Sequence, residues 1–193
     1  MLSNYQLNKI KSNLEYYYNQ ATPSERQSGI SWYTAANEWC KDTALWFNFC
    51  PHTVAAVLSA LSPRNKWEKN KIDTRTVLRA VVDGVEPENV KVSTFHKNKY
   101  KAFAIAQGEQ RITVDSPKTY SFVRNIAYLD NDYVTCDVWH LRAAFKDMRA
   151  KKQLTKLEYW QLSEATKQVA NKFGLQGWAL QAIVWEKVRT TKK

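Results

Sequence analysis

Residues 31–63 read SWYTAANEWCKDTALWFNFCPHTVAAVLSALSP, and this stretch decides the fold class. Its apolar residues recur at steps of three and four positions, the period of an α-helix: Tyr33, Ala36, Cys40, Ala44 and Phe47. Pro51 interrupts this helix, and residues 52–61 form a shorter apolar segment that ends at Ser62-Pro63. Similar patterns fill the rest of the chain. The sequence therefore predicts an all-α fold with about eight or nine helices of roughly 10–18 residues.

Start and stop signals set the expected helix boundaries. Ser93 or Thr94 is the expected N-cap of one helix, and Ser116 followed by Pro117 opens another. Residues 155–158 read TKLE, which is a capping-box pattern. Beyond the stretch quoted above, the expected helices cover residues 4–20, 66–83, 93–107, 116–128, 137–148, 155–173 and 177–189.

Composition supports a single compact domain. Hydrophobic residues make up 44% of the 193 positions, which is too many for a disordered chain. The chain has only 5 Gly and 5 Pro, so it lacks the turn residues that an all-β sandwich or barrel needs. No repeat, low-complexity segment or linker divides it. We therefore expect one globular domain over residues 1–193.

The charge balance indicates the class of partner. With 29 Lys and Arg against 18 Asp and Glu, the formal net charge is +11, which exceeds the magnitude of about 2–8 that solubility asks of a small domain. Nucleic acid is the commonest polyanionic partner of such a chain. No segment shows the basic face opposite a purely apolar face that membrane-surface helices have. We expect nucleic acid rather than a membrane as the partner, and whether the chain also has protein partners stays open.

Cysteine usage and the first residues indicate the compartment. The three cysteines (Cys40, Cys50 and Cys136) are too few, and odd in number, for a disulfide scaffold, which favours a reducing compartment. Residues 1–20 lack the apolar segment of a secretory signal. The short, basic, Trp-rich chain resembles small phage proteins in general appearance. The expected location is the cytoplasm of a bacterial or phage-infected host cell.

The spacing of the tryptophans gives a further expectation. Trp32, Trp39 and Trp46 are seven residues apart and so share one face of a helix. Because they lie among other apolar residues, we interpret them as core aromatics rather than as a base-stacking platform. Trp67 and Trp139 lie beside polar or charged residues, and their roles stay open at this point.

Two charged residues begin neighbouring predicted helices. Lys118 is the second residue of the helix that Ser116 caps, where the partial positive charge of the helix start disfavours an ammonium and favours the neutral, nucleophilic amine. Asp137 caps the next helix or lies in its first turn, where the same dipole stabilises a carboxylate. The alternative interpretations are an exposed surface lysine and an ordinary capping aspartate.

Four segments together resemble the helix-hairpin-helix DNA glycosylase superfamily, the endonuclease III-like enzymes. ITVDSPKTYSF (112–122) matches the family's Lys-Thr at Lys118-Thr119, and TCDVWHLRAAF (135–145) matches its Asp at Asp137 and its Arg at Arg142. Residues 54–78 and 93–108 resemble two upstream family segments in the same order. Val114 and Ser116 replace the family's hairpin glycines, and Leu61 replaces a glutamine. No cysteine set for an iron–sulfur cluster follows the domain.

The resemblance implies a two-lobed helical domain, with one lobe over about residues 50–130 and the other formed by residues 1–49 and 131–193. It also implies a DNA N-glycosylase/AP lyase in which Lys118 attacks C1′ of the deoxyribose and Asp137 offsets the developing positive charge. Duplex DNA is then the expected partner, and no cofactor or metal is expected. The residues expected to contact the DNA are Ser62, Arg64, Asn65, Lys66, Lys97, Lys99, Lys101 and Arg142.

Three alternatives stay open. A same-fold enzyme could act on hypermodified thymine in phage DNA. A DNA-binding protein could keep the scaffold without turnover, as the missing hairpin glycines allow. A metal-dependent nuclease could use Asp130, Asp132 and Asp137, although the sequence around them lacks the Gly and distal Glu of a calcium loop.

Overall fold

The computed structural model describes residues 1–148 and 153–191. Within these residues there are nine α-helices, one 3-10 helix at Pro87–Asn89 and no β-strand, which confirms the all-α class for this part of the chain. The α-helices are α1 (Asn4–Gln20), α2 (Pro23–Phe47), α3 (Pro51–Leu61), α4 (Trp67–Val82), α5 (His96–Ala106), α6 (Pro117–Tyr128), α7 (Val138–Phe145), α8 (Lys156–Lys172) and α9 (Gly177–Thr190).

The chain divides into two compact units. The terminal unit comprises Met1–Ala35 and Leu129–Lys193, and the central unit comprises Ala36–Tyr128. The first boundary lies within α2, where no loop or change in composition marks it, whereas the sequence analysis placed it near residue 50. The second lies at the end of α6, close to the expected residue 130.

The terminal unit is built from helices at both ends of the chain. α1 packs against α7, α8 and α9, and α8 and α7 each pack against α9. Gly29 allows a close approach of α2 to α9, because a Cβ at this position would lie only 2.6 Å from atoms of Ile183. Tyr33 is fully buried, and its hydroxyl donates a hydrogen bond of 2.9 Å to Oε1 of Gln181. The two chain ends thus share one core.

The central unit surrounds α3. Every residue from Val54 to Leu61 is buried, as expected for a helix that is apolar on all sides, and α4, α5 and α6 pack around it. Asn37 is buried and donates hydrogen bonds from Nδ2 to the carbonyls of Ile126 and Ala127, at 2.7 and 3.0 Å. These bonds satisfy carbonyls at the end of α6 that its own helix leaves without a partner.

Most helix boundaries agree with the sequence analysis, but two starts do not. α2 begins at Pro23 rather than near residue 31, because Thr22 and Glu25 exchange capping hydrogen bonds ahead of the apolar pattern. α5 begins at His96, so the expectation that Ser93 or Thr94 is its N-cap was wrong: the Thr94 hydroxyl donates to the Pro63 carbonyl instead.

In the described part of the chain, no single helix has the length and apolar character needed to cross a membrane. α2 and α3 satisfy that test as a pair, but they are bent by 112° at the break between them. A buried core helix satisfies the same test, and α3 is buried over most of its length. By length and composition alone, this bent pair is weak evidence of a span.

Candidate nucleic-acid interface

A buried carboxylate holds the loop between α3 and α4 in place. Asp73, on α4, is only 1% exposed, and its Oδ2 accepts hydrogen bonds from Nδ2 of Asn65 at 2.8 Å and from the Ser93 N–H at 2.9 Å. The Lys69 ammonium lies 3.7 Å from Oδ1. A buried carboxylate is stable only with such partners. Asp73 therefore fixes both the loop at residues 62–66 and the segment that precedes α5.

A second contact joins the same two segments. The Thr94 hydroxyl donates a hydrogen bond of 3.0 Å to the Pro63 carbonyl. Next to it, Arg64 adopts a left-handed backbone conformation with φ 58°, which residues other than glycine rarely adopt. Its guanidinium carbon lies 5.5 Å from the centre of the Phe95 ring. The loop therefore presents Arg64 at a fixed, exposed tip.

The exposed Lys and Arg side chains of the loop at residues 62–66 and of the first turn of α5 are Arg64, Lys66 and Lys97, which we call the basic loop surface. Lys66 occupies the N-cap position of α4 and Phe95 that of α5, and neither makes a side-chain capping bond. Lysines at helix starts are disfavoured by the helix dipole, whereas an anion is favoured there by the dipole and by the free N–H groups. This arrangement is suited to holding phosphate groups.

Three other predicted residues lie in or next to this surface. Ser62 and Asn65 are half-buried, and their side chains bond within the protein: the Ser62 hydroxyl donates to the Ser59 carbonyl, and the Asn65 amide donates to Asp73. They shape the loop and are less available to a ligand. Lys101 is half-buried and lies one turn after Lys97 on α5, on the same side of the helix.

Lys99 does not belong to the surface, contrary to the sequence analysis. It is 4% exposed, and its ammonium donates a hydrogen bond of 2.9 Å to the Val90 carbonyl. Positions two apart on a helix point about 200° away from each other, so Lys97 and Lys99 cannot share a face. Lys99 therefore serves to attach the preceding segment to α5.

Lys118 is located in the central unit, as the second residue of α6, and is exposed. The Ser116 carbonyl accepts a hydrogen bond from the Tyr120 N–H at 2.9 Å, so Ser116 directly precedes the first residue of α6, Pro117. The structure thus has an exposed lysine in the first turn of α6, which an ordinary surface lysine would also show.

Asp137 is in the terminal unit, where it caps α7. Its Oδ1 accepts hydrogen bonds from the N–H groups of Trp139 and His140, at 3.0 and 2.9 Å, and the residue is half-buried. Burial raises the pKa of the nearby Tyr33 phenol, and the negative charge of Asp137 raises it further. The pKa of the Cys136 thiol is raised by the same two causes. The carboxylate therefore stabilises a helix start and adds negative charge to a buried environment.

Arg142 is on α7, in the terminal unit, whereas the basic loop surface belongs to the central unit. Its guanidinium carbon lies 4.4 Å from the centre of the Trp139 ring, and its buried Nε has no hydrogen-bond partner among residues 1–148 and 153–191. Arg142 is half-buried, and this stacking fixes its orientation. Trp139, whose role the sequence left open, provides the stacking surface.

The alternative of a metal-dependent nuclease gains no support. In residues 1–148 and 153–191, no group of three or more His, Cys, Asp or Glu side chains is arranged to hold a metal ion. Asp130 accepts a hydrogen bond from the N–H of Asp132 at 3.0 Å, which is a local turn contact.

The comparison with protein families gives one result. The model of a family of unknown function, DUF7178, matches residues 1–192. The chain belongs to this family. Curated proteins and solved structures gave no significant match. The DUF7178 match spans both units and includes the basic loop surface, Lys118 and Asp137.

Sequence reasoning missed two features of this DUF7178 member. Asp73 looked like an ordinary helical residue, because its partners Asn65 and Ser93 are 8 and 20 positions away. The exposed Trp46 was expected in the core and is 72% exposed, so that expectation was wrong. The spacing of four between Lys71, Arg75 and Arg79 was the available signal that α4 carries a line of cations beside aromatic residues.

Proposed function

We propose that the chain binds duplex DNA through the basic loop surface of its central unit. The observation that carries the proposal is the attachment of the loop at residues 62–66 to the start of α5, which gathers Arg64, Lys66 and Lys97. Phosphate contacts of this kind supply most of the sequence-independent affinity for DNA. The net charge of +11 supports the same class of partner.

The rigidity of the surface favours a ligand with regularly placed charges. Arg64 is held in a left-handed conformation, and Asp73 and Thr94 attach both segments by hydrogen bonds. A preorganised set of cations loses little side-chain freedom on binding, so more of its interaction energy remains as affinity. The phosphates of a DNA duplex form such a regular array.

Base excision on the bound DNA is the second candidate function, and the observation that favours it is the exposed Lys118 amine at the start of α6. The amine would attack C1′ of the deoxyribose, the bond from C1′ to the base would break, and the base would leave with the bonding electron pair and take up a proton. Loss of an amine proton and ring opening would give a Schiff base, and β-elimination would then release the 3′ phosphate.

Both candidates are tested with one set of labelled duplexes. Binding is measured at 50 and 200 mM salt, over which a protein with several phosphate contacts loses orders of magnitude in affinity. Binding that is absent, or unchanged between these salt concentrations, would contradict the first proposal. Duplexes with an abasic site or a damaged base are then treated with borohydride, which traps a Schiff base. Salt-dependent binding with no trapped complex would support DNA binding and would contradict the proposed lyase activity.

A further inference from the structure

A line of cations along α4 is stacked on aromatic rings. Lys71, Arg75 and Arg79 are spaced four residues apart, so they follow one another along one side of the helix. The Arg75 guanidinium carbon lies 5.3 Å from the ring centre of Trp39 and 5.2 Å from that of Trp46. The remaining pairs are Lys71 with Trp67 at 5.7 Å and Arg79 with Phe47 at 5.1 Å. We call these three cations and four rings the α4 ladder.

The rings of the ladder are partly open to solvent. Trp46 is 72% exposed, and its neighbour Leu45 is 84% exposed. Trp39 and Phe47 are half-buried and attach the end of α2 to α4 within the central unit. One indole face is therefore available for stacking beside a guanidinium whose position is fixed.

The two arginines of the ladder differ from Lys71 in their ionic contacts. Within the described residues, no ion pair joins Arg75 or Arg79 to a carboxylate, whereas Lys71 pairs with Glu68 at 2.9 Å. An arginine stacked on an aromatic ring keeps the N–H groups at its edge for a planar anionic group. The ladder thus offers a stacking surface and free cationic edges side by side.

We propose that the α4 ladder binds single-stranded nucleic acid, with a base stacked on Trp46 and the neighbouring phosphates held by Arg75 and Arg79. Stacking on an exposed indole requires an unpaired base, because a duplex offers only base edges in its grooves. The ladder runs along α4 from Trp67 to Arg79, and these twelve steps of 1.5 Å give a length of about 18 Å. That length accommodates several nucleotides.

Charge decides between this ligand and a protein partner. Arginine and tryptophan are also common at protein interfaces. However, the two guanidinium groups have no carboxylate partner in the described residues, and the chain has a net charge of +11. Both observations favour a ligand with several negative charges in a row. Glu38 and Asp42 on α2 are exposed near the aromatic residues, and no described ion pair joins them to the ladder. A nucleic-acid strand matches this surface better than a folded protein does.

The ladder begins directly after Lys66 of the basic loop surface. The two surfaces make separate claims, since the loop is proposed to hold duplex DNA and the ladder a single strand. A ladder that fails its test leaves the loop proposal standing, and the reverse also holds.

The test uses the full chain and a fluorescein-labelled 12-nucleotide oligothymidylate, with binding followed by fluorescence anisotropy at 50 mM salt. Trp46→Ala should weaken binding at least about fivefold, and Trp46→Phe should retain most of it, because stacking needs only an aromatic face. Tyr5→Ala is the matched control, since Tyr5 is 75% exposed on α1 of the terminal unit. Thermal melting of each variant confirms that it is folded.

Three outcomes would overturn the proposal. The first is wild-type protein that does not bind the oligothymidylate, and the second is Trp46→Ala protein that binds it as tightly as wild type. The third is an equal loss in the Tyr5→Ala control. In the second case, a change in the sedimentation of the Trp46→Ala chain alone would identify the ladder as a protein–protein contact. Loss confined to Trp46→Ala, with duplex binding retained, supports it.

Discussion

Asn65 and Asp73 are joined by a hydrogen bond of 2.8 Å from Nδ2 to Oδ2, and Asp73 is only 1% exposed. The same oxygen accepts the Ser93 N–H. This one carboxylate therefore holds two segments that are separate in the sequence: the loop that carries Arg64 and Lys66, and the segment that leads into α5 and Lys97. The fixed conformation of the loop thus depends on Asp73, although Asp73 is buried and need not contact a ligand.

Asp73→Ala tests this dependence. The substitution leaves the Asn65 amide and the Ser93 N–H without their acceptor, which should lower the free energy of unfolding by about 2–3 kcal/mol. Duplex binding should weaken as well, because the loop is no longer fixed. Urea unfolding and a binding titration on the same sample measure both effects. Asp83→Ala is the matched control, since Asp83 is exposed at the end of the same helix and its removal changes the net charge equally. Equal effects from the two substitutions would contradict the role of Asp73.

Lys97→Ala and Lys99→Ala should have opposite consequences. Lys97 is exposed, so its loss should weaken duplex binding for all sequences alike, reduce the salt slope by about 1 and leave stability unchanged. Lys99 is buried on the Val90 carbonyl, so its loss should reduce the free energy of unfolding and affect binding less. Binding and unfolding measured on both variants distinguish the roles. A Lys99→Ala protein of normal stability with the larger binding defect would contradict the assignment.

The helices could be predicted from local sequence patterns, because hydrophobic periodicity and helix capping depend on residues only a few positions apart. The capping box at Thr155 and the helix start at Ser116-Pro117 are examples that the structure confirms. The loop could not be predicted in the same way, since the bond between Pro63 and Thr94 joins residues 31 positions apart. The expectation that Trp46 lies in the core was wrong for a related reason. A pattern of apolar residues shows which side chains share one face of a helix, but tertiary packing determines which part of that face is buried.

His140 should make the terminal unit sensitive to acid. It is 0% exposed, and burial lowers its pKa from 6.5 to about 4. Thr166 donates its own hydroxyl proton to the Leu162 carbonyl, so Nε2 of His140 carries a proton and donates it to Thr166 at 2.9 Å. The buried Nδ1 has no hydrogen-bond partner within the described residues. The ring is thus held in its neutral form.

The sign of the pH effect follows from this lowered pKa. The unfolded chain takes up a proton at His140 below about pH 6.5, whereas the folded chain resists until about pH 4. Stability should therefore be unaffected above pH 6.5 and should fall by about 3 kcal/mol between pH 6.5 and 4. Urea unfolding across this range measures the loss. His140→Gln should remove this part of the pH dependence, and the same substitution at the exposed His96 should not. An unchanged profile in His140→Gln would contradict the prediction.

Lys118→Gln tests the proposed nucleophile. An amide cannot form a Schiff base, so the borohydride-trapped complex with abasic duplex should disappear. The residue is exposed, and removing a cation from a helix start relieves an unfavourable interaction with the dipole, so stability should not fall. Duplex binding should remain within a few-fold of wild type. Lys97→Gln is the control for loss of one positive charge, because it should weaken binding while the trapped complex still forms. Trapping that persists in Lys118→Gln would exclude Lys118 as the nucleophile.

Asp137 caps α7 in the structure, whereas the family resemblance implies a catalytic role, and two substitutions separate these roles. Asn keeps an oxygen that accepts the N–H groups of Trp139 and His140, and it caps helices about as well as Asp. Asp137→Asn should therefore leave the melting temperature nearly unchanged, whereas Asp137→Ala should lose about 1 kcal/mol of stability. If the carboxylate offsets charge at C1′, the Asn variant should also release base at least about 100-fold more slowly, because an amide carries no charge. Melting temperature and base-release rate, measured on the same sample of the Asp137→Asn variant, distinguish the capping role from the catalytic role. A stable Asn variant with the wild-type rate would show that Asp137 acts only as the cap of α7.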